Sequence, residues 1–539
     1  MRGFLPLAVL LSLYIPRTSV VVTEERPSES LAGFPPYLYA ARRESYASYD
    51  CLPSRIHLAQ SNNVLVGVVS MTVSYSLDHE KCAHAQPTVV YGRGDRPEGQ
   101  VRDEKPLQFN FTSSKSNGMY KSDWIYHTIL PDLEAGNEEY WYRIEVQQQQ
   151  QQQQPPTPPK NPHQSKRLRG AQPAIAGTTP HYVFRTPPMP GSPTTLALVG
   201  DLGQTANSSQ TMFHIWQAAT TNASSRLPWN KHNHHPVTNV LIAGDMSYAD
   251  SDPLRWTSWM ELVEPLARGT SLAVAAGNHE IECDTTTNEI FVPYEHWFRN
   301  PNRIQDAVRL PVTEEYRKTL WDGSCSAPSA FQGHYDYGNA FYSYQHGLVH
   351  VIVLGSYSDA TVGSVQYQWL QHELQSVDRQ VTPWLLVSFH SPLYTTFQGH
   401  VDEIEAVNMK QAMEPLFVEF GVNLVISGHD HGFMKTHSLA YGQVDPTGLS
   451  PVYLTLGAGG NREGHSSGYR QEEPEAWVAE RNLEEYGYGH LYVPNATHAL
   501  FQWIRDGSPV QGRSEHEWIY NPHHYHFNDS SARTAMPKE

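Results

Sequence analysis

Five apolar runs from Thr194 onward each end in a residue able to give a lone pair to a metal ion. LALVGD ends at Asp201, VLIAGDMSY at Asp245 with Tyr248 three residues on, and LAVAAGNHE at Asn278 and His279. WLLVSFH ends at His390, and NLVISGHDH ends at His429 and His431. Residues at i and i+2 of an extended backbone project to one side, so His429 and His431 can aim at one point just past their strand. Open α/β sheets bind ligands beyond the carboxyl ends of their strands. A single polar residue after a strand is ordinary turn chemistry. Five metal-competent ends in register, most of them preceded by a glycine that permits a tight turn, indicate a metal centre.

The donor set constrains the metals. Two carboxylates, a phenol, an amide and three imidazoles are too many for one ion and suit two ions if one carboxylate bridges. Such pairs, roughly 3.5–4 Å apart, stabilise the attacking and leaving oxygens of phosphoryl displacement. Oxygen and nitrogen donors without thiolate favour iron, manganese or zinc. A phenolate favours a trivalent ion, which places Fe(III) beside Tyr248. Two carboxylates, a phenolate and a hydroxide leave an Fe(III)–M(II) pair slightly positive, which suits an incoming phosphate.

These donors need a rigid α/β frame, and from Thr194 onward apolar strand-like runs do alternate with helix-like segments. One helix is expected after Asp252, an N-cap followed by Pro253. A second spans roughly 363–378 with Val365, Trp369, Leu370, Leu374 and Val377 on one face, and a third roughly 404–420. Upstream, residues 55–146 read as all-β, in short β-branched and aromatic runs such as RIHLAQ and YWYRIEV. Gln147–Gln154 and the Pro-rich stretch to about Pro180 lack apolar content and read as a disordered loop inside this sandwich, with HYVFRTPP as its closing strand. After about residue 448 a short β-rich region closes the fold.

The chain has 539 residues, 39% of them hydrophobic, and a net charge of −17, so two or three globular domains are expected. That charge argues against a nucleic-acid or anionic-membrane partner held by bulk electrostatics. Arg2 followed by the apolar run Phe4–Ile15 matches a secretory signal over residues 1–20 and is too short to span a bilayer comfortably. Sequons at Asn110, Asn207, Asn222, Asn495 and Asn528, and four cysteines, agree with secretion or an endomembrane lumen such as the lysosome or vacuole. Proximity favours the pairs Cys51–Cys82 and Cys283–Cys325.

The series GDLGQT (200–205), GDMSYAD (244–250), GNHE (277–280), SFHSPLY (388–394) and GHDH (428–431) resembles the purple acid phosphatases of the metallophosphoesterase superfamily. LEAGNEEYWYRIEV, GAGGNREG (457–464) and YGYGHLYVPNATHAL (486–500) extend the likeness over most of residues 55–520. The resemblance implies a fibronectin III-like β-sandwich (50–188), a layered α/β metallophosphoesterase domain (192–440), a C-terminal domain (448–520) and a tail (521–539). It implies Fe(III) on Asp201, Tyr248 and His431, a divalent ion (Zn, Mn or Fe) on Asn278, His390 and His429, and Asp245 as the bridge. His279 would contact phosphate or protonate the leaving group, and His400 would contact substrate. The implied activity is acid hydrolysis of phosphate monoesters by metal-hydroxide attack, with a homodimer allowed. Rival readings are a phosphoesterase for diesters, nucleotides or inositol phosphates, and a non-catalytic binding protein. Glu280 and Asp430 are not expected to be ligands. The chain departs from the family pattern at Gly399 and at Gly432-Phe433-Met434-Lys435, where an altered substrate range is expected.

Overall fold

The computed structural model describes residues 51–103, 105–116, 118–148, 174–220, 236–303, 313, 335–507 and 517–524. The expected signal segment, most of the Gln/Pro loop, Asn222, Asn528 and Cys325 lie outside these residues. Two large sheets form the core. The first carries the parallel strands Thr194–Val199, Asn239–Ile242 and Ser271–Val274. The second carries the parallel strands Val349–Val353, Trp384–Ser388, Leu424–Ser427 and Val452–Leu456.

Strand side chains alternate between faces, and both faces of these strands are apolar, as buried parallel sheets require. Leu196, Leu198, Leu241 and Ala273 pack with Val351, Leu386, Ile426 and Leu454 between the two sheets. Their sequence neighbours Ala197, Val199, Ile242, Val274, Leu385 and Val387 face outward onto helices. Those helices are α1 (Ala206–Thr220), α2 (Pro253–Ala267), α3 (Val292–Trp297), α4 (Val365–Ser376) and α5 (Ile404–Glu419). The result is a helix–sheet–sheet–helix stack with its strand ends in register.

The expected helix starts hold. Asp252 caps α2 by accepting from Leu254 N at 3.1 Å, with Pro253 in the first turn. The face expected for α4 is narrower than its periodicity suggested: Leu370 and Leu374 are buried, while Val365 at its start is 58% exposed. Residues 55–146 are all-β as read. Strands Ser54–Gln60, Val68–Leu77 and Trp124–Glu134 stack on a second sheet containing Ala85–Arg93, Glu139–Gln148 and Tyr182–Arg185. Ala174–Thr178, expected in the disordered loop, is instead a strand beside Glu139–Gln148. The segment reads AIAGT, and Ala176 packs against the sandwich core, so this end of the stretch carries apolar content that the Gln/Pro run before it lacks. The three-stranded layer also continues the first large sheet, because Leu58 pairs in parallel with Ser271. The region after 448 contributes strands to both large sheets.

Cys51 and Cys82 are bonded as expected. Cys283 is also disulfide-bonded. Among the described residues no helix is long and apolar enough to cross a membrane.

Leu386→Ala, between the sheets, should cost about 2–5 kcal/mol in denaturant unfolding. Val365→Ala, on the exposed start of α4, should change stability by less than about 0.5 kcal/mol.

Candidate metal centre

Every donor singled out in the sequence reaches one region beyond the strand ends of the two sheets, in two adjacent groups. In the first, Tyr248 Oη lies 3.2 Å from Asp201 Oδ1 and 3.1 Å from His431 Nε2, and His431 Nε2 lies 3.4 Å from the same Asp201 oxygen. In the second, His390 Nε2 is 3.2 Å from Asp245 Oδ2 and 3.2 Å from Asn278 Oδ1. Donor atoms of Asp245, His390 and His429 all fall within 4.8 Å of one another. Ligands bound at 2.0–2.1 Å stand roughly 3.0–3.4 Å apart, so both groups have the spacing of a coordination shell. They fit a pair of ions.

The backbone is bent to achieve this. Asp201, Asp245, Tyr248 and His429 all have left-handed φ, between 50° and 69°. Such conformations cost non-glycine residues about 1–2 kcal/mol each and persist where the surroundings over-determine them. The glycines before the donors leave room as well as freedom. A Cβ on Gly277 would lie 2.0 Å from Asp245 Oδ1, and one on Gly428 would lie 2.3 Å from Asp201 Oδ2.

Charge is concentrated here without solvent. Asp201, Asp245 and Tyr248 are fully buried. Burial, then Asp201 and Asp245, push the Tyr248 phenol well above its ordinary range. Burial opposes the charge on Asp245, yet His390 and His279 hold its carboxyl far below the usual range. Burial likewise opposes a charge on His390, but Asp245 brings that imidazole up to about 10.

Several supporting residues escaped the sequence reading. Glu280, not expected to be a ligand, accepts from the backbone N–H groups of Asp245 (2.8 Å), Gly277 (2.8 Å) and Met246 (3.0 Å), tying two strand ends together. Burial and Asp245 push its carboxyl up to about 7. Asp250 holds His279 Nδ1 at 2.5 Å and is itself paired with Arg462. Glu403 precedes α5, but instead of capping it binds His429 Nε2 at 2.7 Å and His400 Nδ1 at 2.8 Å. The His-x-x-Glu spacing from His400 to Glu403 was the available signal. Asp430, expected to be near the ligands or solvated, is fully buried, and burial raises its carboxyl to about 6.

His279 stands beside the donors, with its backbone N–H on Asp245 Oδ1 at 2.9 Å and its ring 4.1 Å from that of Tyr248. His400 stacks 3.8 Å from the His429 ring and is 35% exposed, facing the approach to the site. Gly399 sits at φ +119°, a conformation in which a side chain is strained, so this backbone excludes a histidine there. Residues 432–435 do not face the site. A Cβ on Gly432 would meet Phe397 and Leu483, Phe433 stacks on Trp503 at 4.5 Å, and Met434 and Lys435 are buried. Packing along the strand Phe433–Ala440, rather than substrate, accounts for that departure.

Residues 194–433 match the family model of the calcineurin-like phosphoesterases, and residues 450–512 match that of the iron/zinc purple acid phosphatase-like protein C. The chain is 34% identical over 409 residues to purple acid phosphatase 18 of Arabidopsis thaliana, covering 76% of this chain and 74% of the relative. It is 31% identical to probable purple acid phosphatase 20 of the same plant, over 87% of each. The chain belongs to the purple acid phosphatases. A further member, named Fe(3+)-Zn(2+) purple acid phosphatase 12 of Arabidopsis thaliana, is 27% identical, covering 87% of this chain and 84% of its own. The solved structure of a purple acid phosphatase from yellow lupin (Lupinus luteus) seeds shares the fold, with a TM-score of 0.63 at 17% identity, covering 86% of this chain and 73% of that one.

In this purple acid phosphatase the turn that carries Asp250 is fixed by another buried acid. Glu282 accepts from Ser251 N and from the Trp256 indole, each at 2.6 Å. Burial pushes Glu282 up to about 8. A carboxyl raised on folding binds more protons in the native state than in the unfolded one, so stability falls as pH rises from about 4.5 to 8. Glu282→Gln should remove that component, flattening the pH dependence of urea midpoints over this window. An unchanged slope would assign it elsewhere.

Proposed function

We propose that this purple acid phosphatase hydrolyses phosphate monoesters at an Fe(III)–M(II) pair, and that its donors divide as the two groups suggest. Asp201, Tyr248 and His431 would hold the ferric ion. Asn278, His390 and His429 would hold the divalent ion (Zn, Mn or Fe), and Asp245 would serve both. The observation that carries the reading is the side-by-side arrangement of two buried coordination-spaced groups, flanked by His279 and His400. When bound, the metals supply Lewis acidity that polarises phosphoryl oxygens and acidifies water.

The chain's own residues supply positioning and a proton. Asp250 takes the hydrogen bond of His279 Nδ1, which leaves Nε2 facing the donors. From Nε2 the proton passes to the leaving-group oxygen as the P–O bond breaks, a contribution worth roughly 10²–10⁴-fold. On the opposite side Glu403 orients His400 so that its free nitrogen can contact a phosphate oxygen. The sandwich over residues 50–188 reads as the family's fibronectin III-like N-terminal domain, with the catalytic domain over 192–440 and the C-terminal domain over 448–520. Passage through the secretory pathway is supported by the Cys51–Cys82 bond and by the exposure of Asn110, Asn207 and Asn495 at three sequons.

Tyr248→Phe should abolish the visible phenolate-to-iron absorption band, and Asp245→Asn should lose metal and p-nitrophenyl phosphate hydrolysis together. Full turnover and full metal content in Asp245→Asn would refute the assignment. Faster turnover of bis(p-nitrophenyl) phosphate than of the monoester by the native enzyme would move the substrate class to diesters.

A further inference from the structure

Beside His400 lies a cavity of about 260 Å³ that none of the metal donors lines. Four separate segments build it. Tyr394 and Thr395 come from the loop after the strand Trp384–Ser388, Lys410 from α5, and Gly442 from the turn after Phe433–Ala440. Arg470 and Trp477 come from the loop after Val452–Leu456. Its size excludes a drug-sized ligand but admits a phosphate or carboxylate on a short carbon stem.

The charges that line it are mostly positive. His400, Lys410 and Arg470 face it, against the single carboxylate of Asp402. The nearby acids are engaged elsewhere. Glu403 is paired with His400 and His429, and Glu414 accepts from the hydroxyl of Tyr394 and from Tyr441 N. The Lys410 ammonium lies 3.5 Å over the Tyr394 ring and has no hydrogen-bond acceptor among the described residues. Burial lowers it from its ordinary value, with Glu414 and Asp402 opposing. The Arg470 guanidinium makes one long side-chain hydrogen bond, to Thr395 O at 3.4 Å. The half-buried Lys410 and the exposed Arg470 therefore stand at one cavity with most of their donors free of protein acceptors, and an oxyanion is a group that would use them.

We propose that this cavity is a subsite for a second oxyanion on the substrate. A phosphate or carboxylate carried by the leaving group would bind Lys410 and Arg470 while the scissile phosphate lies at His400 and the metal donors. The inference rests on the phosphatase reading above and names the substrate class it lacks: small phosphate esters with a second anionic group. Both residues belong to binding of the leaving group, so their loss should act on KM for those esters.

The test compares butyl phosphate, 4-carboxybutyl phosphate and butane-1,4-diol bisphosphate as substrates of the metal-loaded enzyme and its Lys410→Gln and Arg470→Gln variants. The native enzyme should prefer the esters with a second anion. Each variant should raise KM for those esters about tenfold or more, as loss of a charged hydrogen bond implies, with kcat unchanged. Butyl phosphate and p-nitrophenyl phosphate should be hydrolysed as before, which also shows that the variants fold. An effect on the bisphosphate alone assigns the subsite to phosphate, one on the carboxylate alone assigns it to carboxylate, and one on both assigns a general oxyanion site. Equal KM changes for all esters, or no native preference, would overturn the proposal. Calorimetric binding of the bisphosphate, lost in the double variant, decides the subsite even if turnover fails. Failure of the native enzyme to hydrolyse any of the monoesters would count against the phosphatase reading instead.

Discussion

The structure is organised around a set of acids and a phenol buried against one another. Asp201 and Asp245 lie without solvent beside Tyr248, in surroundings where an uncompensated charge is costly. Imidazoles at 3.2–3.4 Å compensate part of that charge, and a pair of cations would compensate the rest. The facing sheets, the left-handed strand ends and the small residues before the donors all serve to bring these groups to one place and hold them there. Glu280 shows the same economy: a buried carboxylate satisfied by three backbone N–H groups becomes a clamp between two of the strand ends.

The centre was legible because its chemistry is local. A strand followed by Gly-Asp, Gly-Asn-His or Gly-His-Asp-His places a donor beyond the sheet whatever the rest of the chain does, so the donor set could be read from those strand ends. The supporting residues were not legible for the opposite reason. Glu403 acts on His429, which is distant in sequence, and Arg462 reaches Asp250 from a loop 212 residues further along the chain. Nothing in a short window distinguishes such residues from surface charges. The α4 face failed at Val365 because a helix's first turn can lie beyond the layer it packs on, a matter of tertiary placement rather than periodicity.

The same distinction relocates the source of substrate preference. Departures from a family pattern are visible in sequence, but their orientation is not. Gly432 to Lys435 continue a strand whose side chains fill the core around Trp503, so they shape packing. The region beside His400 is different. There Gly399 sets an open turn, Glu403 orients the histidine, and the adjoining cavity brings cations from two segments that sequence alone would not associate. On the reading proposed above, preference among phosphate esters would be set on that side of the centre.

The central claim is that the two buried groups are a dinuclear site. Metal analysis of the purified native chain, made alongside its p-nitrophenyl phosphate turnover, tests it most directly. The account predicts one iron and one divalent ion per chain, with activity lost when a chelator removes either and restored when it is returned. A chain that retains full turnover with one ion or none would contradict it.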